Sequence, residues 1–142
     1  MKISAKTDYA CRALLELSLH WPHSTPLQIG EIARNQKIPI KFLTHILIQL
    51  KQMGYVESVR GQRGGYLLAK PPREITVHEV IDAFHEMKRV PLRTNISLKT
   101  TDVFENIWRG ADNVIAGFFA KITFEEICQR KRNLTRIPMY TI

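Results

Sequence analysis

The sequence predicts a mainly α-helical fold with a small β-hairpin, and three observations predict it. Leu43, Ile46, Leu47 and Leu50 recur at the spacing of one helix face, directly after a short helical stretch. The segment "VRGQRGGYLLAKPP" then sets three glycines and two arginines between strand-like runs. A third stretch, residues 102–122, carries apolar residues in pairs over a stripe wider than one neighbouring layer requires.

Taken in order, the first helix is predicted over residues 8–19, with Thr7 as N-cap and Leu14, Leu15, Leu17 and Leu19 making it apolar on most of its circumference, interrupted by Glu16 and Ser18. "HWPHSTP" reads as a loop. Thr25, Pro26 and Gln28 carry an N-cap, a first-turn proline and a capping-box partner, so a short helix is expected from there to about Asn35. After "KIP" the amphipathic stretch beginning "IKFLTH" continues to Gly54, and its opposite face presents Lys41, Thr44, His45, Ile48 and Gln52. A short helix, a turn and a second amphipathic helix make a helix-turn-helix, in which the second helix is the one that enters a major groove.

"YVESV" and "YLLA" flank the glycine turn as a hairpin, which gives a winged helix-turn-helix order. The glycines lead into a strand and not into a helix N-terminus, so they do not form a nucleotide-phosphate cradle. Pro71 and Pro72 stop the second strand, and Thr76 to Glu79 offers a capping box for a helix to about Met87. The long C-terminal helix pairs Val103 with Phe104, Ile107 with Trp108, Val114 with Ile115 and Phe118 with Phe119, with Ala111 between. Such a stripe suits packing on its own domain on one side and on a second subunit on the other. "KITFEEI" reads as a short capped helix and "RKRNLTRIPMYTI" as a mobile basic tail.

The formal charge of +8 on 142 residues is unevenly placed: residues 1–73 carry 11 Lys and Arg against 4 Asp and Glu, and residues 74–142 carry 10 against 9. The positive field belongs to the first half and suits a polyanion there. Two cysteines, Cys11 and Cys128, sit apart in apolar, helix-like stretches, which excludes a disulfide framework and a CxxC site and fits a reducing, cytoplasmic location. No run is long enough for a membrane span, and no nucleophile elbow, Walker loop or HExxH motif is present, so neither a membrane protein nor an enzyme is expected. His78, Asp82 and His85 share a helix face, with Glu79 and Glu86 nearby, but no further ligand is evident; an ordinary polar face accounts for them, and no metal is expected.

Together "MKISAKTDYACRALLEL", the segment from "IGEIARNQ" through "VRGQRGGYLLA" to "VIDAF", and "IWRGADNVIAGFFAKITFEEI" resemble the Rrf-type winged-helix transcriptional regulators, the IscR/NsrR/CymR-like family, over almost the whole chain. The resemblance implies a homodimer that binds double-stranded DNA at a palindromic operator, with the long C-terminal helix crossing to the partner. Lys41, Phe42, Thr44 and His45 match positions that contact base edges or the adjoining backbone. Ser4 and Lys6 match a backbone-contacting segment, and Arg60, Gly61 and Arg63 form the wing tip, where an arginine can enter a narrow minor groove. Iron-sulfur members often carry Glu at the position of Thr44, so their operator preference does not transfer. Many members also hold a cluster with three cysteines in the loop that here spans residues 90–102, and this loop has none. Glu105 and Asp8 match positions that supply single ligands in some members, which is too little to hold a cluster, so no cofactor is expected.

The expected organisation is a DNA-binding region over residues 1–73, a connecting helix and sensor-type loop over 74–101, and a dimerisation helix with a C-terminal tail over 102–142. Dimerisation falls to Phe104, Ile107, Trp108, Ala111, Val114, Ile115, Phe118 and Phe119. The expected function is a repressor answering to a small-molecule or protein effector. The alternatives are a winged-helix module that docks an acidic protein, and a metal- or thiol-responsive regulator.

Overall fold

A computed structural model describes residues 2–22, 25–84 and 102–136 of the chain. Its element order is α1 (Ala5–Leu19), α2 (Ile29–Gln36), α3 (Ile40–Gln52), β1 (Val56–Val59), β2 (Gly65–Leu68), α4 (Val77–Phe84), α5 (Val103–Ala120) and α6 (Phe124–Arg136). The fold is therefore mainly α with one antiparallel hairpin, in which Val56 pairs with Leu68 and Val59 with Gly65.

Helix α1 is the central element, packed against α2, α3, α4 and α6. It begins earlier than predicted: Ser4 is the N-cap, its Oγ accepting from the Thr7 N–H at 3.1 Å. Thr7 is fully buried and its hydroxyl donates to the Phe84 carbonyl at 3.3 Å, so the predicted cap residue instead ties the start of α1 to the end of α4. Glu16 is also buried, and its carboxylate accepts from Asn35 Nδ2 and Gln36 Nε2, both at 2.8 Å. A buried carboxylate needs such donors, and here they fasten the C-terminus of α2 to α1.

The predicted start of the second helix fails at Thr25, Pro26 and Leu27. Leu27 is extended and exchanges backbone hydrogen bonds with Tyr66, at 3.0 and 2.8 Å, extending the hairpin by one bridge. Helix α2 starts only at Ile29 and has no side-chain cap. The local capping signal loses to a pairing that lies far away in sequence, because the bridge satisfies both backbone groups of Leu27.

Thr76 caps α4 as predicted, its Oγ1 accepting from the Glu79 N–H at 3.2 Å. Residues 85–87, predicted to complete that helix, lie outside the described residues, as do His85, Glu86 and the loop residues 90–101. A bridge joins Thr76 to Thr123, with the Val77 N–H on the Ile122 carbonyl and the Phe124 N–H on the Ile75 carbonyl, both at 2.9 Å. Ile75, Val80, Phe84 and Phe124 consequently share one core with Leu14, Ile32, Leu43 and Leu47.

Helix α6 is longer than the short helix predicted and includes Arg130 to Arg136, which the sequence assigned to a mobile tail. Phe124, Ile127 and Cys128 anchor one face, Thr123 caps the start at 3.2 Å, and Arg130 pairs with Glu126 at 2.8 Å, so the helix propagates through the basic run. Residues 137–142 lie outside the described residues.

Candidate nucleic-acid interface

Lys37 ends α2 in the left-handed conformation, at φ 54°, and Pro39 opens α3 by accepting from the N–H groups of Phe42 and Leu43. Three residues thus turn the chain from one helix into the next. Leu43, Ile46, Leu47 and Leu50 are buried as the spacing predicts, which fixes the rotation of α3 and aims Lys41, Phe42 and His45 outward. Thr44 is half-buried; its hydroxyl donates back to the Ile40 carbonyl at 2.9 Å, so what it offers outward is an acceptor lone pair and a methyl group.

The start of α1 adjoins this face. Tyr9, which sequence reasoning passed over, places its ring 6.2 Å from that of Phe42. Ser4 and Lys6 lie within the two turns preceding it, so the start of α1 and the N-terminus of α3 are neighbours. The Ser4 hydroxyl already serves as the helix cap and also lies 2.9 Å from the Thr7 hydroxyl. Its side chain is exposed.

Behind α3 the hairpin closes through the Gly64 N–H on the Gly61 carbonyl at 3.0 Å. Arg60, Gly61 and Arg63 are exposed at its tip, and neither arginine has an ionic partner among the described residues. Two further contacts hold the wing in place: Gln28 Nε2 reaches the Gln62 carbonyl at 3.5 Å, and Lys51 Nζ lies 2.7 Å from Ser58 Oγ. Helix α3 packs on β1, so the outward face of α3 and the wing are held against each other.

Away from this surface, no residue of α5 is fully buried in its own chain. Phe104, Ile107, Trp108, Ala111, Val114, Ile115 and Phe118 are exposed and Phe119 is half-buried. Phe104 stacks on Trp108 with ring centroids 6.0 Å apart, and Phe118 meets Phe119 edge-on at 5.4 Å. The stripe read from the sequence is therefore only thinly covered within its own chain among the described residues: α5 meets α4, and Phe119 is the stripe residue most withdrawn from solvent.

The donor set for a metal is sparse. Among the described residues no three His, Cys, Asp or Glu side chains converge, and His78 Nε2 instead pairs with Asp82 at 3.2 Å. Burial pushes the Cys11 thiol up to about 12, helped by the negative charge of Asp8 against a smaller opposing effect of Arg12. Burial likewise raises Cys128. At pH 8 the Cys11 thiolate fraction is then about a thousandfold below that of a thiol at 9.0, so alkylation by iodoacetamide is expected to be slowed by about that factor relative to the unfolded chain. Mass spectrometry of the labelled peptide checks this; equal rates in native and unfolded protein would show a reactive thiol. Because the folded-state value lies above the unfolded one, this group contributes stability below pH 9 that is lost as pH rises towards 12.

The family model Rrf2, described as an iron-dependent transcriptional regulator, matches residues 3–130. The HTH-type transcriptional regulator IscR of Photorhabdus laumondii is 33% identical over 137 residues, which cover 94% of this chain and 83% of that protein. IscR of T. potens superimposes with a TM-score of 0.76 at 27% identity, covering 92% of this chain and 88% of that one. CymR, the global cysteine regulator of B. subtilis, shares the fold at a TM-score of 0.74 and 23% identity, over 92% of this chain and 98% of its own.

Proposed function

The chain belongs to the Rrf2 family of transcriptional regulators, and on that premise we propose that it is a homodimeric repressor of a palindromic operator. It is not an enzyme: its family and relatives regulate transcription. The observation that carries the DNA-binding geometry is the outward face of α3 beside a wing tip whose Arg60 and Arg63 have no ionic partner among the described residues. Lys41, Phe42, Thr44 and His45 then read bases or hold the adjoining backbone, while Ser4, Lys6 and the wing fix the register on phosphates.

Self-association rests on the thinly covered α5 stripe. A two-fold dimer presents two α3 helices and so requires a symmetric site. Repression needs nothing beyond occupancy of such a site. No helix among the described residues is long and apolar enough to cross a membrane.

The family description implies iron, and the residues of this chain do not fit a thiolate-held cluster. The sequence has two cysteines, on α1 and α6, both with thiols raised by burial, whereas cluster ligation requires thiolates. We therefore assign the signal to an effector of another class, a small molecule or a protein.

Selection from mixed-sequence duplex DNA tests the reading. Enrichment of a palindrome supports it, and no enrichment under any ligand condition assigns the basic surface to an acidic protein partner instead. On a selected site, replacing Arg60 and Arg63 with Ala is expected to weaken binding and to lower the slope of log K against log salt by about 2 to 4 for the dimer. A slope equal to wild type would remove the wing from the phosphate contacts.

A further inference from the structure

Three apolar side chains stand exposed on α3 although its buried face is complete: Ile40 and Phe42 at 55% and Ile48 at 47%. A single exposed aliphatic group is ordinary on any surface. Here Ile48 continues the line of Lys41, Thr44 and His45, the face that the groove-reading helix turns outward. Seven residues further along at the helical rise, Ile48 lies about 10 Å beyond Lys41, or about three base-pair steps.

We propose that Ile48 is a specificity-determining residue that reads thymine through its 5-methyl group. The inference rests on the DNA-binding reading above and deepens it. Isoleucine has no hydrogen-bonding group, and the thymine methyl is the one apolar feature on the major-groove edges of the bases. Covering that methyl removes apolar surface of both partners from water, which gives a preference without any polar contact. Thr44 supports the same chemistry, because its hydroxyl hydrogen is committed to the Ile40 carbonyl and its methyl group remains. The face is thereby divided: Lys41 and His45 supply charge and hydrogen bonds near the start of α3, and Ile48 supplies a methyl-sized contact one turn on.

The test uses the full-length protein and an operator obtained by selection. Each symmetric thymine pair is replaced by deoxyuridine, which removes the methyl and leaves base pairing intact, and affinity is measured for wild type, Ile48→Ala and Ile48→Val. For wild type, one pair is expected to lose about fourfold per half-site, about fifteenfold for the pair. Ile48→Ala should be indifferent at that pair alone, Ile48→Val should retain most of the sensitivity, and both should melt as wild type does because Ile48 is exposed. At the same pair 5-methylcytosine should recover part of what cytosine loses. Wild type indifferent to every deoxyuridine, or Ile48→Ala responding as wild type everywhere, overturns the inference while leaving DNA binding intact. Failure to select any DNA removes the DNA-binding reading and the inference with it.

Discussion

A chain carrying Trp108→Glu and Phe118→Glu is expected to run as a monomer in sedimentation and to bind a selected operator about a hundredfold or more weakly than wild type. Both side chains are more than 60% exposed in the protomer, Trp108 at 63% and Phe118 at 61%. An aromatic side chain buries about 150–250 Å² when fully covered, so with somewhat over half of that still open each removes about 90–160 Å² from water and contributes about 2–4 kcal/mol at about 25 cal/mol per Å² when a partner subunit packs on it. A carboxylate in the same place reverses the sign, since a buried charge without a partner is costly. Operator affinity falls with the dimer because tethering the second half-site reader multiplies binding by about 10² to 10⁴, an advantage a monomer lacks. No α5 residue is fully buried in its own chain, and Trp108 and Phe118 are exposed, so circular dichroism and the melting of the core should survive the change. A variant that stays dimeric, or a monomer that keeps wild-type affinity, would refute the role given to α5.

Gly65→Ala is expected to cost about 2–4 kcal/mol in denaturant unfolding and to remove operator affinity through the wing. A Cβ at this position would lie 2.3 Å from the Leu27 carbonyl oxygen and 2.6 Å from its carbon, and the residue holds φ +156°. Both obstacles are backbone, so no side chain can turn aside. Relief requires opening the Leu27–Tyr66 bridge, with its hydrogen bonds at 3.0 and 2.8 Å. That bridge also sets where Gln28 meets Gln62, so the wing loses its brace on the helix-turn-helix. Gly30→Ala is the control: nothing lies within 4 Å of its added Cβ, and the expected change is neutral or slightly stabilising. A Gly65→Ala midpoint equal to that of Gly30→Ala would show that the bridge does not constrain the wing.

Much of the candidate site is legible in the sequence because it is built from local signals. The spacing of Leu43, Ile46, Leu47 and Leu50 fixes which side of α3 is inward, and so which residues face out. The glycines of the turn mark the hairpin, although their reasons were only partly visible. Gly61 takes φ +111° within the turn, as expected of glycine, whereas Gly65 is required by the approach of Leu27, a residue 38 positions earlier. Tyr9 was missed because an aromatic residue in an apolar helix carries no mark of which neighbour it meets. Thr7 and Ser4 are both good caps, and only the Phe84 carbonyl, which takes the Thr7 hydroxyl, decides between them.

What the sequence determined by itself was the order of helices and hairpin, the burial of one α3 face, the basic charge of the first half and the lack of cysteine in the sensor-type loop. Each of these depends on residue identity or on a periodicity that every turn of a helix repeats. What only the tertiary structure decided was where Leu27 pairs, how far α6 runs, and how Glu16 fastens α2 to α1. The physical reason is that a backbone or carboxylate group must find its hydrogen bond wherever the fold supplies one. For Leu27 that partner was Tyr66 on strand β2 of the wing, which outweighed the helix its neighbours spelled.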